Sequence, residues 1–98
     1  MYSIDVIIEK KEKWTFKNLL SKRKVKYIEW FIEFDSENSI ISFEIESEEC
    51  LGDVCDFLKE KSPRSRLILP NGTSVKPSKK SVKEIYSEFM SKIHYKEK

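Results

Sequence analysis

The chain has few of the residues on which common catalytic and cofactor sites depend. Its 98 residues include two glycines and one histidine. Neither a G-x-x-x-x-G-K loop nor a G-x-G-x-x-G loop is present, which excludes the usual nucleotide-binding signatures. The histidine, His94, gives no Ser-His-Asp or Cys-His arrangement for nucleophilic catalysis. The sequence therefore predicts a protein that is not an enzyme and needs no cofactor.

Cysteine is equally scarce, with Cys50 and Cys55 as the two examples. Both fall in a segment with helical periodicity, where a five-residue spacing separates the side chains by a rotation of about 140° and places them too far apart for a disulfide. They form no C-x-x-C pair, and His94 is distant in sequence, so the pattern does not indicate a zinc site. We expect two reduced thiols, with Cys55 in the core.

Long apolar runs are also missing, and the mean hydropathy is -0.56. A membrane-spanning helix needs about 20 apolar residues, so the pattern favours a protein without a membrane span. The first residues have no basic stretch followed by an apolar one, which leads us to expect a cytoplasmic location. The length predicts one compact domain over residues 1–98.

Hydropathy patterns predict four strands and a short hairpin arm. Alternation of apolar and polar residues predicts strands over 2–9, 26–35 and 39–46, with the last two joined as a hairpin. A short apolar stretch predicts a fourth strand over 66–69. After it, Asn71-Gly72 is a strong turn signal, which can fold residues 73–76 back as an arm at a sheet edge.

Three helices are predicted from apolar stripes that follow capping residues. Thr15 can cap a short helix that ends in the basic cluster 22–24. Ser47 can cap a second helix, which begins with acidic residues and stops at Ser62-Pro63. Ser81 and Glu84 have the spacing of a capping box for a C-terminal helix.

The order of these elements indicates an α+β fold. Strand, helix, strand, strand, helix, strand is the pattern of a ferredoxin-like (βαββαβ) two-layer sandwich, here with an additional C-terminal helix. Right-handed crossovers would place the first two helices on one sheet face and leave the other face open. Another α+β arrangement of the same elements remains the alternative.

Charge is distributed in blocks, although the formal net charge is only +2. Residues 10–26 sum to +7, residues 27–58 to -10 without one lysine or arginine, and residues 59–83 to +7. The small net charge therefore results from segments of opposite charge that cancel. This distribution indicates a function that depends on one of these charged segments.

The hairpin pattern predicts that acidic side chains collect on the open sheet face. Burying Trp30 against Ile45 would place Glu29 opposite Glu46 on the other side. Phe31 would form the apolar centre of that face. The residues predicted to bind a partner there are Asp5, Ile7, Glu29, Phe31, Glu33, Glu44 and Glu46.

An aromatic residue surrounded by carboxylates is typical of an interface that docks a basic protein surface. One version is an inhibitor or regulator that occupies the groove of a nucleic-acid-binding protein by imitating backbone charge. Small accessory proteins of viruses or mobile elements often act in such a way. Two alternatives stay open: the C-terminal helix covers this face, or a second copy associates, most easily through an edge strand.

Nucleic-acid binding through the basic segments 10–26 and 64–83 is the rival interpretation. The central strand 40–45 is acidic and lacks the basic and aromatic residues by which RNA recognition motifs bind RNA on their sheet. Such binding would therefore use the helix side, through Lys17, Lys22, Arg23, Lys24, Lys26, Arg64 and Arg66. A weaker alternative is a Mg²⁺ or Ca²⁺ site at the oxygens of Glu29, Glu44 and Glu46.

Overall fold

The computed structural model describes residues 3–30, 37–45 and 47–97, except for the side chains of 92–97. Within these ranges the chain forms one five-stranded antiparallel sheet and three α-helices, which confirms the α+β class. The strands are β1 Ser3–Glu9, β2 Tyr27–Trp30, β3 Asn38–Glu44, β4 Arg66–Ile68 and β5 Ser74–Val75. The helices are α1 Lys13–Lys22, α2 Glu48–Lys61 and α3 Lys79–Glu97, and a 3₁₀ turn, Lys10–Glu12, precedes α1.

The strands lie in the order β2-β3-β1-β4-β5, with every neighbouring pair antiparallel. The fifth strand makes this order different from that of a four-stranded ferredoxin-like sheet. The arm predicted over 73–76 is this strand, and the predicted turn precedes it. Gly72 has a φ of 88°, a left-handed conformation that glycine adopts without steric cost.

One face of the sheet carries the hydrophobic core. Phe16 of α1 packs edge-on against Phe43 of β3, with ring centroids 6.0 Å apart, and against Phe57 of α2 at 5.8 Å. Val82 and Ile85 of α3 are buried in the same cluster, which all three helices therefore share. Since α3 packs on α2 and contributes to this core, its described residues belong to the helix layer and do not cover the opposite sheet face.

Two of the predicted helix starts are wrong, and one is confirmed. Ser47 accepts a hydrogen bond from the Cys50 amide at 3.1 Å and caps α2 as expected. Thr15 lies inside α1, which begins at Lys13. The helix α3 begins at Lys79, so its capping box lies one turn earlier than predicted. The Ser81 amide donates to Ser78 Oγ at 3.1 Å, and the Ser78 amide donates to Ser81 Oγ at 2.8 Å.

The predicted register of the hairpin is also wrong. Within the described residues Tyr27 pairs with Phe43 and Glu29 with Ile41, whereas the sequence pattern placed Trp30 opposite Ile45. The shift is by an odd number of residues, and an odd shift moves every side chain of a strand to the other face of the sheet. The odd-numbered residues of β2 therefore face the helices, and Ile28 and Trp30 face outward.

The cause is visible in the composition of β2. Each face of β2 carries a large apolar or aromatic side chain, so the alternation of residue types does not show which face is buried. Tyr27 packs against the core, and Glu29 meets basic residues of α1 under the helix layer. Ile28 and Trp30 are left 59% and 52% exposed.

This register is directly testable by NMR. The Lys26 carbonyl accepts a hydrogen bond from the Glu44 amide at 3.3 Å, so Glu29 and Ile41 form a non-hydrogen-bonded pair, in which the Cα atoms are only about 4.5 Å apart. We expect a strong Hα–Hα cross-peak between Glu29 and Ile41. A cross-peak between Trp30 and Ile45 in its place would restore the sequence-predicted register.

Candidate functional site

The open sheet face is a broad surface with two cross-strand rows of side chains. Residues directly opposite each other on neighbouring strands lie on the same face, so the strand pairing assigns the rows. One row runs over four strands through Trp30, Ile40, Ile7 and Arg66. The next runs over five strands through Ile28, Ser42, Asp5, Ile68 and Ser74.

Five of the nine side chains in these rows are apolar, which is unusual for a sheet face that none of the described helices covers. Ile28 and Trp30 are exposed, while Ile7, Ile40 and Ile68 are half-buried. A contiguous exposed apolar patch of this kind, rimmed by polar residues, commonly marks an interaction site.

The Trp30 side chain is held in place by a hydrogen-bonded chain across three strands. Its indole Nε1 donates to Ser42 Oγ at 2.7 Å, and Ser42 Oγ in turn donates to Asp5 Oδ1 at 2.5 Å. The bonds fix the ring over β3 while half of it remains exposed. Such pre-organisation lowers the entropy cost of using this residue in binding.

Charged side chains of both signs lie on this face. Asp5, Glu9 and Glu44 point outward on β1 and β3, Arg66 does so on β4, and Lys26, just before β2, shares the outward phase of Ile28. Glu9 also lies 4.0 Å from Lys11. Glu44 lies at one end of the face, beside Lys26 and Ser3, which line the same surface depression. Because Asp5 belongs to the hydrogen-bonded chain of Trp30, the surface around this tryptophan suits a partner that combines apolar groups with positive charge.

Glu29 belongs to the opposite side, contrary to the sequence-based expectation. Its carboxylate pairs with Lys17 and, at 3.2 Å, with Lys13, both from α1. The hydrogen bond from Lys17 is the largest cause that lowers the pKa of Glu29 below its usual value, with Lys13 adding to it against the opposing effect of burial. Glu29 therefore attaches β2 to α1 and does not contribute to the open face.

The remaining residues predicted to bind a partner divide into two groups. Asp5, Ile7 and Glu44 lie together on the open face. Phe31, Glu33 and Glu46 lie outside the described residues. The acidic block 27–58 is not gathered on one face, because Glu48, Glu49, Asp53 and Asp56 are carried by α2.

The basic residues of the nucleic-acid interpretation do not form one patch within the described part of the chain. Lys17 pairs with Glu29, and Arg23 pairs with Asp53 of α2.

Lys26 lies beside Ser3 at one end of β1, whereas Arg64 lies beside Glu9 at the other end. A seven-residue strand separates these ends by about 20 Å. Lys22 and Lys24 are exposed near the end of α1, and Arg66 is on the open sheet face.

The predicted acidic metal ligands also lie apart. Glu29 faces the helices and Glu44 faces outward, while Glu46 is outside the described residues. Across the described ranges, no three histidine, cysteine, aspartate or glutamate side chains come together in a metal-binding group.

Both cysteines are buried and reduced, and Cys55 is in the core as predicted. Burial raises the pKa of the Cys55 thiol to about 11. Because the thiolate is the reactive form, this side chain is unsuited to nucleophilic or redox chemistry at neutral pH.

Comparisons with protein-family models, with curated proteins and with solved structures found no match. In the part of the chain that the structure describes, none of the helices has both the length and the apolar character needed to cross a membrane.

The sequence interpretation missed the residues that dominate the open face. The alternation pattern buries Trp30, and with it Ile28 two residues earlier, because both are in phase with apolar positions further along the segment. A signal for the correct phase was present in Glu29 and in the lysines of the preceding helix, whose opposite charges can pair across the layers. A prediction from the alternation of residues within one strand does not consider ion pairs with other elements.

The pairing of Glu29 predicts a specific acid sensitivity. A lowered pKa in the folded state stabilises the fold above the ordinary value of 4.5, and this contribution is lost as the pH falls through the lowered value. Glu29→Gln should therefore lower the free energy of unfolding by about 0.5 to 1 kcal/mol at neutral pH, and wild type and variant should converge in acid, where Glu29 is protonated in the folded protein as well.

Urea unfolding at neutral pH and in acid measures this difference. Glu60→Gln, at an exposed carboxylate of α2, is the matched control and should change little at either pH. A difference between wild type and Glu29→Gln that persists unchanged in acid would contradict the role of the carboxylate charge.

Proposed function

We propose that the chain is a non-enzymatic binding module that docks a basic protein surface on its open sheet face. The observation that carries this proposal is the exposed Trp30, held by Ser42 and Asp5, in a sheet face that also presents carboxylates. Tryptophan is among the residues that contribute most to protein interfaces. Its exposure beside apolar neighbours and negative charge is costly for an isolated domain and useful for a complex.

The centre of the proposed site differs from the sequence-based expectation. Phe31 was expected to be the apolar anchor, and it lies outside the described residues. We assign the anchor to Trp30, with Ile28 and Ile40 beside it on the same face. Asp5 supplies negative charge beside the anchor, and Glu44 lies further along β3, at one end of the face. Such charges mainly determine partner choice and association rate.

Within this proposal the partner is a basic protein, and a nucleic-acid-binding protein is one specific version. A regulator of that kind would occupy the basic groove that otherwise binds phosphates. The competing proposal, direct nucleic-acid binding by this chain, has less support because Lys17 and Arg23 are engaged in ion pairs with Glu29 and Asp53.

We further propose that the scaffold is a ferredoxin-like sandwich extended by β5 and α3. Support comes from the antiparallel order β2-β3-β1-β4 of its first four strands and from α1 and α2 sharing one core. In this arrangement the open face is the natural place for a ligand, because the helices occupy the other one.

A fluorescence titration tests the binding proposal. In a Trp14→Phe background, Trp30 is the remaining tryptophan and reports on the open face. We expect a synthetic amphipathic lysine–leucine helix, used as a basic protein surface, to shift the emission of Trp30 to shorter wavelength in a saturable and salt-sensitive manner. The double variant Asp5→Lys with Glu44→Lys should lose the shift and keep its circular dichroism spectrum.

The control carries the same change of net charge elsewhere. Asp56→Lys with Glu60→Lys reverses two exposed carboxylates of α2 and should retain the response. Equal loss in both double variants would mean that only net charge matters, and would overturn the site. A response to single- or double-stranded nucleic acid at low salt that depends on Lys22 and Lys24 would favour the competing proposal.

A further inference from the structure

We propose that two copies of this chain associate edge to edge through β2, antiparallel about a two-fold axis at Ile28, so that their sheets become continuous. The proposal concerns the edge of the sheet and does not depend on the carboxylates of the open face. A dimer of this kind would place the two Trp30 side chains on one continuous surface.

The sequence of β2 leaves its edge open to pairing. Within the described residues, β2 has β3 as its neighbour on one side and no strand on the other. Natural edge strands are usually protected by lysine, proline, a bulge or very short length. The strand Tyr27–Trp30 contains no lysine, proline or glycine, whereas the opposite edge, β5, is two residues long and lies between Pro70 and Pro77.

The backbone of β2 shows which groups would pair. The Lys26 carbonyl accepts from the Glu44 amide, so the amide and carbonyl of Lys26 point toward β3. Backbone groups alternate along a strand, and those of Ile28 and Trp30 therefore also point toward β3. The amides and carbonyls of Tyr27 and Glu29 point away from the sheet, toward the edge.

This alternation restricts the register of a dimer. Odd-numbered residues must pair with odd-numbered residues of the second copy, because these carry the outward backbone groups. Directly paired residues share a face, so the helices of both copies lie on the same side of the joined sheet. Registers that pair odd with even residues leave the groups of Tyr27 and Glu29 without partners and are excluded.

Three registers meet this condition, with the axis on Tyr27, Ile28 or Glu29, and the number of backbone pairs formed within β2 separates them. Centring the axis on Tyr27 or on Glu29 pairs that residue with itself and leaves the other outward residue opposite a position outside β2, so one pair forms within the strand. Centring it on Ile28 pairs Tyr27 with Glu29 of the second copy, and each such pair exchanges both of its backbone hydrogen bonds. This register puts no two like charges opposite each other.

Side chains in the Ile28-centred register are also complementary. The two Ile28 side chains, each 59% exposed in one chain, form a close non-hydrogen-bonded pair on the axis. Trp30 faces Lys26 of the second copy, both on the open face, where the ammonium group and the indole ring can form a cation–π contact. Glu29 does not repel the approaching copy, because Lys13 and Lys17 already neutralise it.

Sedimentation equilibrium over a concentration series reaching the millimolar range tests the proposal. The wild-type chain should approach twice its mass of 11.7 kDa. Ile28→Lys and Ile28→Glu should each remain monomeric, because like charges then meet on the axis. An equimolar mixture of the two variants should recover the dimer, since opposite charges now pair there.

Two controls separate the edge from the face. Ile68→Lys makes the same change in the same cross-strand row, three strands away from β2, and should leave association intact. The variant Glu9→Lys, which reverses an outward carboxylate at the end of β1 away from Lys26, should also dimerise. Amide exchange supplies the register: protection of Tyr27 and Glu29 should rise with concentration, while that of Ile28 and Trp30 stays high.

Three results would overturn the proposal. The first is a wild-type chain that stays monomeric throughout the series. The second is dimerisation that Ile28→Lys does not reduce, and the third is a mixture of the two charged variants that stays monomeric. Failure of the lysine–leucine titration alone would reject the proposed function and leave this edge association standing.

Discussion

The phase of β2 against β3 is the constraint on which the surface of this protein depends. A strand presents alternate residues to its two faces, so four residues paired in one phase decide which side chains face the helices and which face outward. Glu29 lies under α1, where Lys13 and Lys17 pair with it. Burial of a carboxylate at that position is acceptable because it is paired, and the opposite phase would remove those lysines from their partner.

The same phase determines both proposed interaction surfaces. It turns Ile28 and Trp30 outward, and the bonds through Ser42 to Asp5 then fix Trp30 above the sheet. It also directs the backbone groups of Tyr27 and Glu29 toward the edge. The phase of β2 thus leaves an exposed tryptophan on the face and, among the described residues, a strand edge without a neighbouring strand, two features that isolated domains usually avoid.

Much of the scaffold follows from sequence because its signals are local and redundant. The α2 helix has a serine cap, acidic residues at its start and basic residues at its end, all of which agree. In β1 and β3, the alternation gives each strand one strongly apolar face. The segment after residue 26 is apolar on both faces, so its phase depends on contacts with α1 that periodicity does not contain. The capping of α3 was misplaced for a related reason, since Ser78 and Ser81 both offer hydroxyl groups.

Solvent exposure of Trp30 tests the central claim most directly. In the Trp14→Phe variant, at concentrations where the chain sediments as a monomer, Trp30 should emit at long wavelength and be quenched efficiently by acrylamide, because half of its surface is exposed. Emission at short wavelength with little quenching would place Trp30 in the core. That result would contradict the observed phase of β2 and, with it, the proposed anchor and the proposed edge.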